Sequence, residues 1–319
     1  MEQTVAVSII CNAYNHEPYI AQCLEGLVTQ KTNFVFEILV HDDASTDRTA
    51  QIIRDYEVRY PHLLKPIYQT ENQYSKGGVG RFQYSRVRGK YIALCEGDDY
   101  WTDPLKLQKQ FDAMEAHPEV DICAHTAVKE DARTGKTLSV IAPKQTDCVI
   151  PVEEVILGGG AYVATNSLFY RAEINGAVPQ FRQIIGIDYT TQIHGALRGG
   201  MLYLKDCMSV YRYMSMGSWT SGMKKDLSKA NAHAERVRKM MHQLDEDTEG
   251  RYHDIIEYCI LSSEFQRLKN SDRCKELLGP HYKTYLEALP RKERLKIRLK
   301  ANLPILCVIN RKLQNRKKQ

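Results

Sequence analysis

Short β-branched apolar runs alternate with helical patterns through the first 125 residues, and this alternation constrains the fold more than any other feature. Strands are predicted at 5–11, 36–40, 64–68, 91–95 and 120–124. Between them lie apolar positions at helical spacing, Ile20, Cys23, Leu24, Leu27 and Val28 in 18–29, and a second helix at 104–116. Ser45 or Thr46 can cap a third helix running to about residue 60, with Asp47 in its first turn. Such alternation requires a doubly wound, mostly parallel α/β sheet covered on both faces. Ligands of open sheets of this kind sit beyond the C-terminal strand ends. The polar clusters fall there: 12–15 after the first strand, Asp42 and Asp43 after the second, and 96–99 after the fourth.

After residue 130 the pattern loosens. A strand is expected at 164–171, a helix at 188–197 and one or two strands at 201–212. A helical, heavily charged region spans 225–288. Composition shifts near 224 and 290 divide the chain into a catalytic-type domain at 1–224, a helical C-terminal region at 225–290 and a tail at 291–319. No internal repeat or low-complexity linker is present.

The formal charge of +5 is a sum of opposites. The tail holds 11 Lys or Arg and the single acid Glu293, giving +10, so the remaining 290 residues carry −5. An acidic body argues against nucleic acid as partner, because phosphate neutralisation needs clustered Lys and Arg. In the tail Leu295, Leu299, Leu303, Leu306 and Leu313 fall near one helical stripe interrupted by Pro304. A basic amphipathic segment can lie on an anionic membrane surface, and a solvated extension is the other reading. The first residues read as a strand and not a signal peptide, and no run reaches the ~18 to 20 apolar residues of a membrane span. Nine scattered cysteines without a CxxC pair fit reduced thiols in a cytoplasmic protein, with a peripheral position on the inner membrane face open through the tail.

The most informative segment is EGDDYW at 96–101, where adjacent carboxylates end a strand. Neighbouring carboxylates repel, and a divalent cation or a donor network commonly stabilises them. Hard oxygen ligands suit Mg²⁺ or Mn²⁺ bridged to substrate phosphates. An acidic turn ahead of the next helix is the structural alternative.

Three motifs in order, VSIICNAYN at 7–15, EILVHDDASTD at 37–47 and EGDDYWTDPLKLQKQ at 96–110, together resemble family 2 glycosyltransferases with the GT-A fold. The likeness extends to GIDYTTQI at 186–193 and MSVYRYMSMGSWTSG at 208–222. It implies an inverting, metal-dependent transfer from a nucleotide-sugar, a UDP-sugar above others, to a saccharide or lipid-linked saccharide of a cell-surface polysaccharide. By the resemblance Asn12, Ala13 and Tyr14 cradle the base, and Asp43 accepts a hydrogen bond from it. Asp98 faces the ribose and also serves the metal, and Asp99 binds the Mn²⁺ or Mg²⁺ that bridges the diphosphate. Asp188 is then the general base that takes the acceptor hydroxyl's proton, with an N-cap as its structural alternative. Arg212 either contacts the diphosphate or braces local acids. Trp219 stacks on the sugar from a lid at 217–222, and Thr165, Asn166 and Ser167 resemble a donor-facing strand end. One departure stands out: the family's Tyr-Arg-x-His segment ends here in Met214, a poor ligand for a hard cation. Two other classes remain: a sugar-nucleotide nucleotidyltransferase, which normally has a Gly-rich loop where this chain has CNAYNHEPY, and a non-catalytic carbohydrate-binding protein on the same fold.

Overall fold

The computed structural model describes residues 4–216, 223, 226–269 and 273–302. Two compact units divide between Asp247 and Thr248. The first is built on one ten-stranded sheet in the order β3-β2-β1-β4-β9-β6-β10-β5, with β7 beside β6 and β8 beside β10. The strands are β1 (Val5–Ala13), β2 (Val35–Asp42), β3 (Ile67–Tyr68), β4 (Tyr91–Leu94), β5 (Tyr100–Trp101), β6 (Ile122–Asp131), β7 (Thr137–Ile141), β8 (Cys148–Ile150), β9 (Phe169–Arg171) and β10 (Met201–Tyr213). Pairs β1–β2, β1–β4, β2–β3 and β6–β10 are parallel. The helices α1 (Ile20–Val28), α2 (Thr49–Arg59), α3 (Gly80–Tyr84), α4 (Lys106–Ala116), α5 (Val152–Gly158), α6 (Gln180–Ile184), α7 (Asp188–Ala196) and α8 (Leu227–Asp247) complete this unit. The observed class is the expected mostly parallel α/β sheet.

The central strands are apolar on both faces because helices cover both. In β1 residues 7–11 are all buried, and in β2 residues 37–42 are. Ile9, Leu24, Ile38, Ile53, Leu107 and Phe169 belong to one core cluster, and each such side chain contributes roughly 1.5–3 kcal/mol on burial. The acid inside β2, Glu37, is neutralised: Arg88 donates to it from Nε and Nη2 at 2.9 and 2.6 Å, and Ser8 Oγ donates at 2.7 Å.

Several elements differ from their sequence expectation. The strand expected at 64–68 pairs fully only at Ile67–Tyr68, with Leu64 forming an isolated bridge to Ile38. The strand expected at 164–171 splits into a 3₁₀ turn, Thr165–Ser167, and the short antiparallel β9. Polar side chains cause the split. Ser167 Oγ bonds back to the Ala164 carbonyl at 2.6 Å, and Asn166 Nδ2 donates to Val210 O at 2.8 Å. Segment 201–212 is one strand, longer than its neighbours. Strands β7 and β8 carry no burial alternation and were not foreseen; β7 is almost wholly exposed.

The expected cap of α2 does different work. Ser45 and Thr46 lie before the helix, which starts at Thr49. Ser45 Oγ accepts from Asn15 N at 3.0 Å, and Thr46 N donates to Asn15 Oδ1 at 2.8 Å. Glu17 N donates to Asp47 Oδ2, Arg48 N to Glu17 Oε2 and His16 N to Thr49 Oγ1, at 3.1, 3.0 and 2.8 Å. The loops after β1 and β2 are thus laced together. Asn15 and Ala44 adopt left-handed backbone at φ 54° and 62° to make that exchange.

The second unit contains α9 (His253–Lys269), two 3₁₀ turns, α10 (Lys283–Ala288) and α11 (Arg291–Asn302) around Phe265, Leu268, Leu277, Leu286 and Ile297. The composition shift near 224 falls inside the first unit, because α8 packs there. Among the described residues no helix is long and apolar enough to cross a membrane. Leu303, Pro304, Leu306 and Leu313 of the tail lie outside the described residues, as does the 217–222 segment with Trp219.

Candidate active site

Register alone brings the first polar clusters together. Parallel pairing sets Ala13 beside Asp42 and Ile10 beside Leu94. Asp43 N then donates to Ala13 O at 2.9 Å, and Gly97 N to Asn12 O at 2.8 Å. The ends of β1, β2 and β4 therefore open side by side. Gly97 is needed at this crossing: a Cβ there would lie 2.9 Å from His16 Nδ1 and 3.0 Å from Ala13 Cβ.

Asn12 bridges two neighbours, donating to Glu96 Oε1 at 3.3 Å and accepting from Gln83 Nε2 at 3.2 Å. Tyr14 is exposed at the rim, 38% accessible. Asp43 is buried, and its two oxygens accept from the backbone amides of Gln73 and Tyr74 at 2.7 and 3.0 Å. It thereby shapes the 3₁₀ turn Tyr74–Lys76. A carboxylate has about four lone-pair sites, so this use leaves room for a ligand donor. Asp42 is equally buried, and its Oδ2 accepts from Ser45 N at 3.3 Å within the loop ahead of α2.

The carboxylate loop is electrostatically loaded. Burial, reinforced by the Asp98 charge, pushes Glu96 up to about 8. The same two causes push Asp99 well above the ordinary carboxylate range. Asp99 Oδ1 accepts from the Arg212 amide at 2.8 Å, and Asp98 accepts from Ser215 Oγ. The left-handed backbone of Met214, φ 64°, carries the chain from β10 to that serine. Among the described residues no group of three or more His, Cys, Asp or Glu side chains is arranged to hold a metal. The donor set still fits a hard divalent ion. Mg²⁺-type sites use one or two carboxylates plus phosphates and water, and a cation would offset the burial and the Asp98 charge that raise Asp99.

Arg212 is 6% exposed and fully engaged. Its Nη1 donates to Asp98 O at 2.9 Å, Nη2 donates to Gln22 Oε1, and Nε lies 3.8 Å from Glu130. The guanidinium also stands over the rings of Tyr100 and Tyr19, 4.3 and 5.1 Å from their centroids. These contacts are of the bracing kind.

Asp188 is the first residue of α7, where the helix dipole favours negative charge. Oδ1 accepts from Tyr189 N at 2.7 Å, and Oδ2 accepts from Thr165 Oγ1. Burial raises this carboxyl; the Thr165 hydroxyl, the helix amides and the charge of His233 on α8 pull it back. Thr165, which bonds Asp188, opens the 3₁₀ turn leading into β9, and Leu94 N at the end of β4 donates to Leu168 O at 3.2 Å, so Asp188 is tied to the same sheet edge as the carboxylate loop.

Several contributors have weak sequence signals. Gln83, 1% exposed, donates to Cys11 O, Asn12 Oδ1 and Leu39 O at 3.3, 3.2 and 3.0 Å, clamping α3 across β1 and β2. A glutamine in a short helix announces none of this. Asn166 is fully buried: it accepts from Trp101 Nε1 at its carbonyl and from Ser209 Oγ at Oδ1, so it ties the 3₁₀ turn to β5 and β10.

Residues 8–166 match the sequence model of glycosyl transferase family 2. An uncharacterized protein of Mycobacterium tuberculosis is 37% identical over 218 residues, 67% of this chain and 61% of its own. The chain thus spans about three-fifths of the length of that relative. Staphylococcus aureus TarS in complex with UDP-GlcNAc superposes with a TM-score of 0.59 at 17% identity, covering 93% of this chain and 88% of that one. The mannosyltransferase PcManGT of Pyrobaculum calidifontis, in complex with GDP-Man and Mn²⁺, gives 0.52 at 16%, covering 97% and 90%. These likenesses show the fold.

Proposed function

The chain belongs to family 2 of the glycosyl transferases, and on that premise we propose that it is an inverting, metal-dependent transferase. It moves a sugar from a nucleotide-sugar, a UDP-sugar first, to a hydroxyl of a saccharide or lipid-linked saccharide in cell-surface polysaccharide synthesis. The observation that carries the reading is the gathering of Asp43 and the Asp98–Asp99 pair at the C-terminal strand ends, with Asp188, at the start of α7, bonded through Thr165 to the turn that leads into β9 beside β4. The nucleotide complexes of TarS and PcManGT support a nucleotide-sugar as donor.

Asn12, Ala13 and Tyr14 receive the base, with the exposed Tyr14 ring available for stacking. Asp43 accepts from the base N–H. Asp98 and Asp99 would hold Mn²⁺ or Mg²⁺, which when bound offsets charge on the diphosphate leaving group. Arg212 keeps that loop in place by gripping the Asp98 carbonyl. Asp188 accepts the proton of the acceptor hydroxyl as the oxygen attacks the anomeric carbon opposite the diphosphate. The C–O bond to the diphosphate breaks as the new one forms, so an α-linked donor yields a β-linked product. Trp219 completes the donor side in this reading.

A thermal-shift panel of UDP, UDP-sugars and GDP-sugars tests the donor class. We expect a UDP compound with Mn²⁺ to raise the melting temperature and EDTA to remove most of that rise. Equal shifts with Mn²⁺ and EDTA contradict the metal bridge.

The tail supplies placement. On α11 Leu295 and Leu299 are 59% and 46% exposed among six Lys or Arg, a composition suited to the cytoplasmic face of an anionic membrane at about 1 kcal/mol per basic residue. A chain ending at Pro290 is expected to lose sedimentation with vesicles of anionic phospholipid that the full chain retains. Equal sedimentation refutes membrane placement by the tail.

A further inference from the structure

Lys106, in the first turn of α4, buries its whole side chain. Lysine is almost never fully buried unless paired, and among the described residues the Nζ of Lys106 meets no carboxylate. It donates to Gln110 Oε1 at 2.7 Å and stands 3.8 Å from the centroid of the Trp101 ring. Burial lowers this amine to about 7. Neither contact needs a full charge, because an amine N–H donates to an amide oxygen and to an aromatic face in either protonation state. The transfer chemistry proposed above makes no use of the group.

Both of its partners end on one short turn. The bond from Nζ fixes the sense of the Gln110 amide, with oxygen toward Lys106 and nitrogen away from it. Gln110 Nε2 donates to Ser167 O at 2.9 Å, and Trp101 Nε1 donates to Asn166 O at 3.0 Å. Gln110, Asn166 and Ser167 are fully buried, and Trp101 is nearly so. Consecutive carbonyls of the 3₁₀ turn Thr165–Ser167 are thus each gripped by a side chain that Lys106 holds. The first residue of that turn, Thr165, donates to Asp188 Oδ2.

We propose that Lys106 is a positioning residue for the general base: it locks Gln110 and Trp101 onto the turn that holds Thr165 against Asp188. The proposal rests on reading Asp188 as that base. Without the Lys106 bond the Gln110 amide is free to turn over and set its oxygen against Ser167 O, which repels it. The Trp101 ring loses the amine that packs on its face. The Asn166 side chain still bonds Val210 and Ser209 of β10, so the turn loosens without coming apart. The Thr165 hydroxyl bond lowers the Asp188 carboxyl, and a loosened turn is therefore readable as a rise of that carboxyl.

The test needs no substrate. The full chain, labelled with ¹³C at aspartate Cγ, is titrated by NMR between about pH 3 and 8. The signal absent in Asp188→Asn identifies Asp188. Thr165→Val is expected to raise the Asp188 midpoint by roughly one unit, and Lys106→Met by roughly half a unit. Lys106→Met added to Thr165→Val moves it no further, because both act through one hydrogen bond. Loss of stability alone, with the chain still folded, moves none of these midpoints. An Asp188 midpoint unmoved in either single variant overturns the proposal, and so does a Lys106→Met shift that adds fully to that of Thr165→Val. Methionine keeps the length of the stem and removes a buried ionisable group, so the variant is expected to fold. If it does not, an unmoved midpoint in Gln110→Met, which cuts the Ser167 grip alone, overturns the proposal instead. Failure of the base assignment is separate: it appears as sugar transfer retained by Asp188→Asn, whatever the midpoints do.

Discussion

Asp188→Asn is expected to slow sugar transfer by roughly a hundred- to ten-thousandfold while nucleotide binding stays unchanged. Asparagine is close in shape, its Oδ1 still accepts the Tyr189 amide, and its Nδ2 can donate to Thr165 Oγ1 once that hydroxyl turns to accept. The start of α7 should survive the change. What is lost is the capacity to take a proton, since an amide oxygen is a far weaker base than a carboxylate. The proposal assigns the base to Asn12, Ala13, Tyr14 and Asp43, so donor affinity reports on residues other than Asp188. Transfer and nucleotide-induced stabilisation, measured side by side, separate these roles.

Asp99→Asn is expected to split stability from activity. Metal stabilisation of the leaving group is worth several kcal/mol, so transfer should fall on the order of a hundredfold or more. The Mn²⁺-dependent part of the UDP thermal shift should vanish with it. The metal-free fold should gain. Asp99 is a buried carboxyl held well above its ordinary value of 3.8 by burial and by Asp98. A carboxyl raised in this way binds its proton more tightly folded than unfolded. Its stabilising contribution is therefore present at low pH and lost as pH rises from about 4 toward the folded value. Asparagine removes that penalty and keeps the bond from the Arg212 amide at Oδ1. Metal-free Asp99→Asn should melt at or above wild type near neutral pH, with the gap closing as pH falls. A variant that melts lower at neutral pH and keeps its Mn²⁺ response contradicts the assignment.

The strand-end acids were legible in the sequence because their placement depends on topology alone. A β-branched run followed by polar residues, repeated with helices between, fixes parallel strands whose ends share one edge, and Asn12, Asp43 and Asp99 follow from that. Asp188 was legible through motif likeness, and the N-terminal position on a helix agrees with its carboxylate chemistry. The polar scaffolding was not legible: Gln83 had no signal, and Asn166, singled out as part of a donor-facing strand end, is fully buried and engaged with Trp101, Ser209 and Val210. Both act through bonds to carbonyl oxygens 44 to 72 residues away in sequence, and no local pattern encodes such partners. Ser45 and Thr46 misled for a related reason. Their side chains and amides favour capping, yet the loop after β1 offers Asn15 as a competing partner, and that tertiary exchange moves the helix start to Thr49.

The central claim is transfer with inversion driven by Asp188. Its most direct measurement is the anomeric configuration of product formed from the α-linked UDP-sugar that stabilises the chain most, followed by NMR for wild type and Asp188→Asn. A β-linked product from wild type, and almost none from the variant with UDP still bound, is the predicted result. An α-linked product, or wild-type transfer by Asp188→Asn, would contradict it.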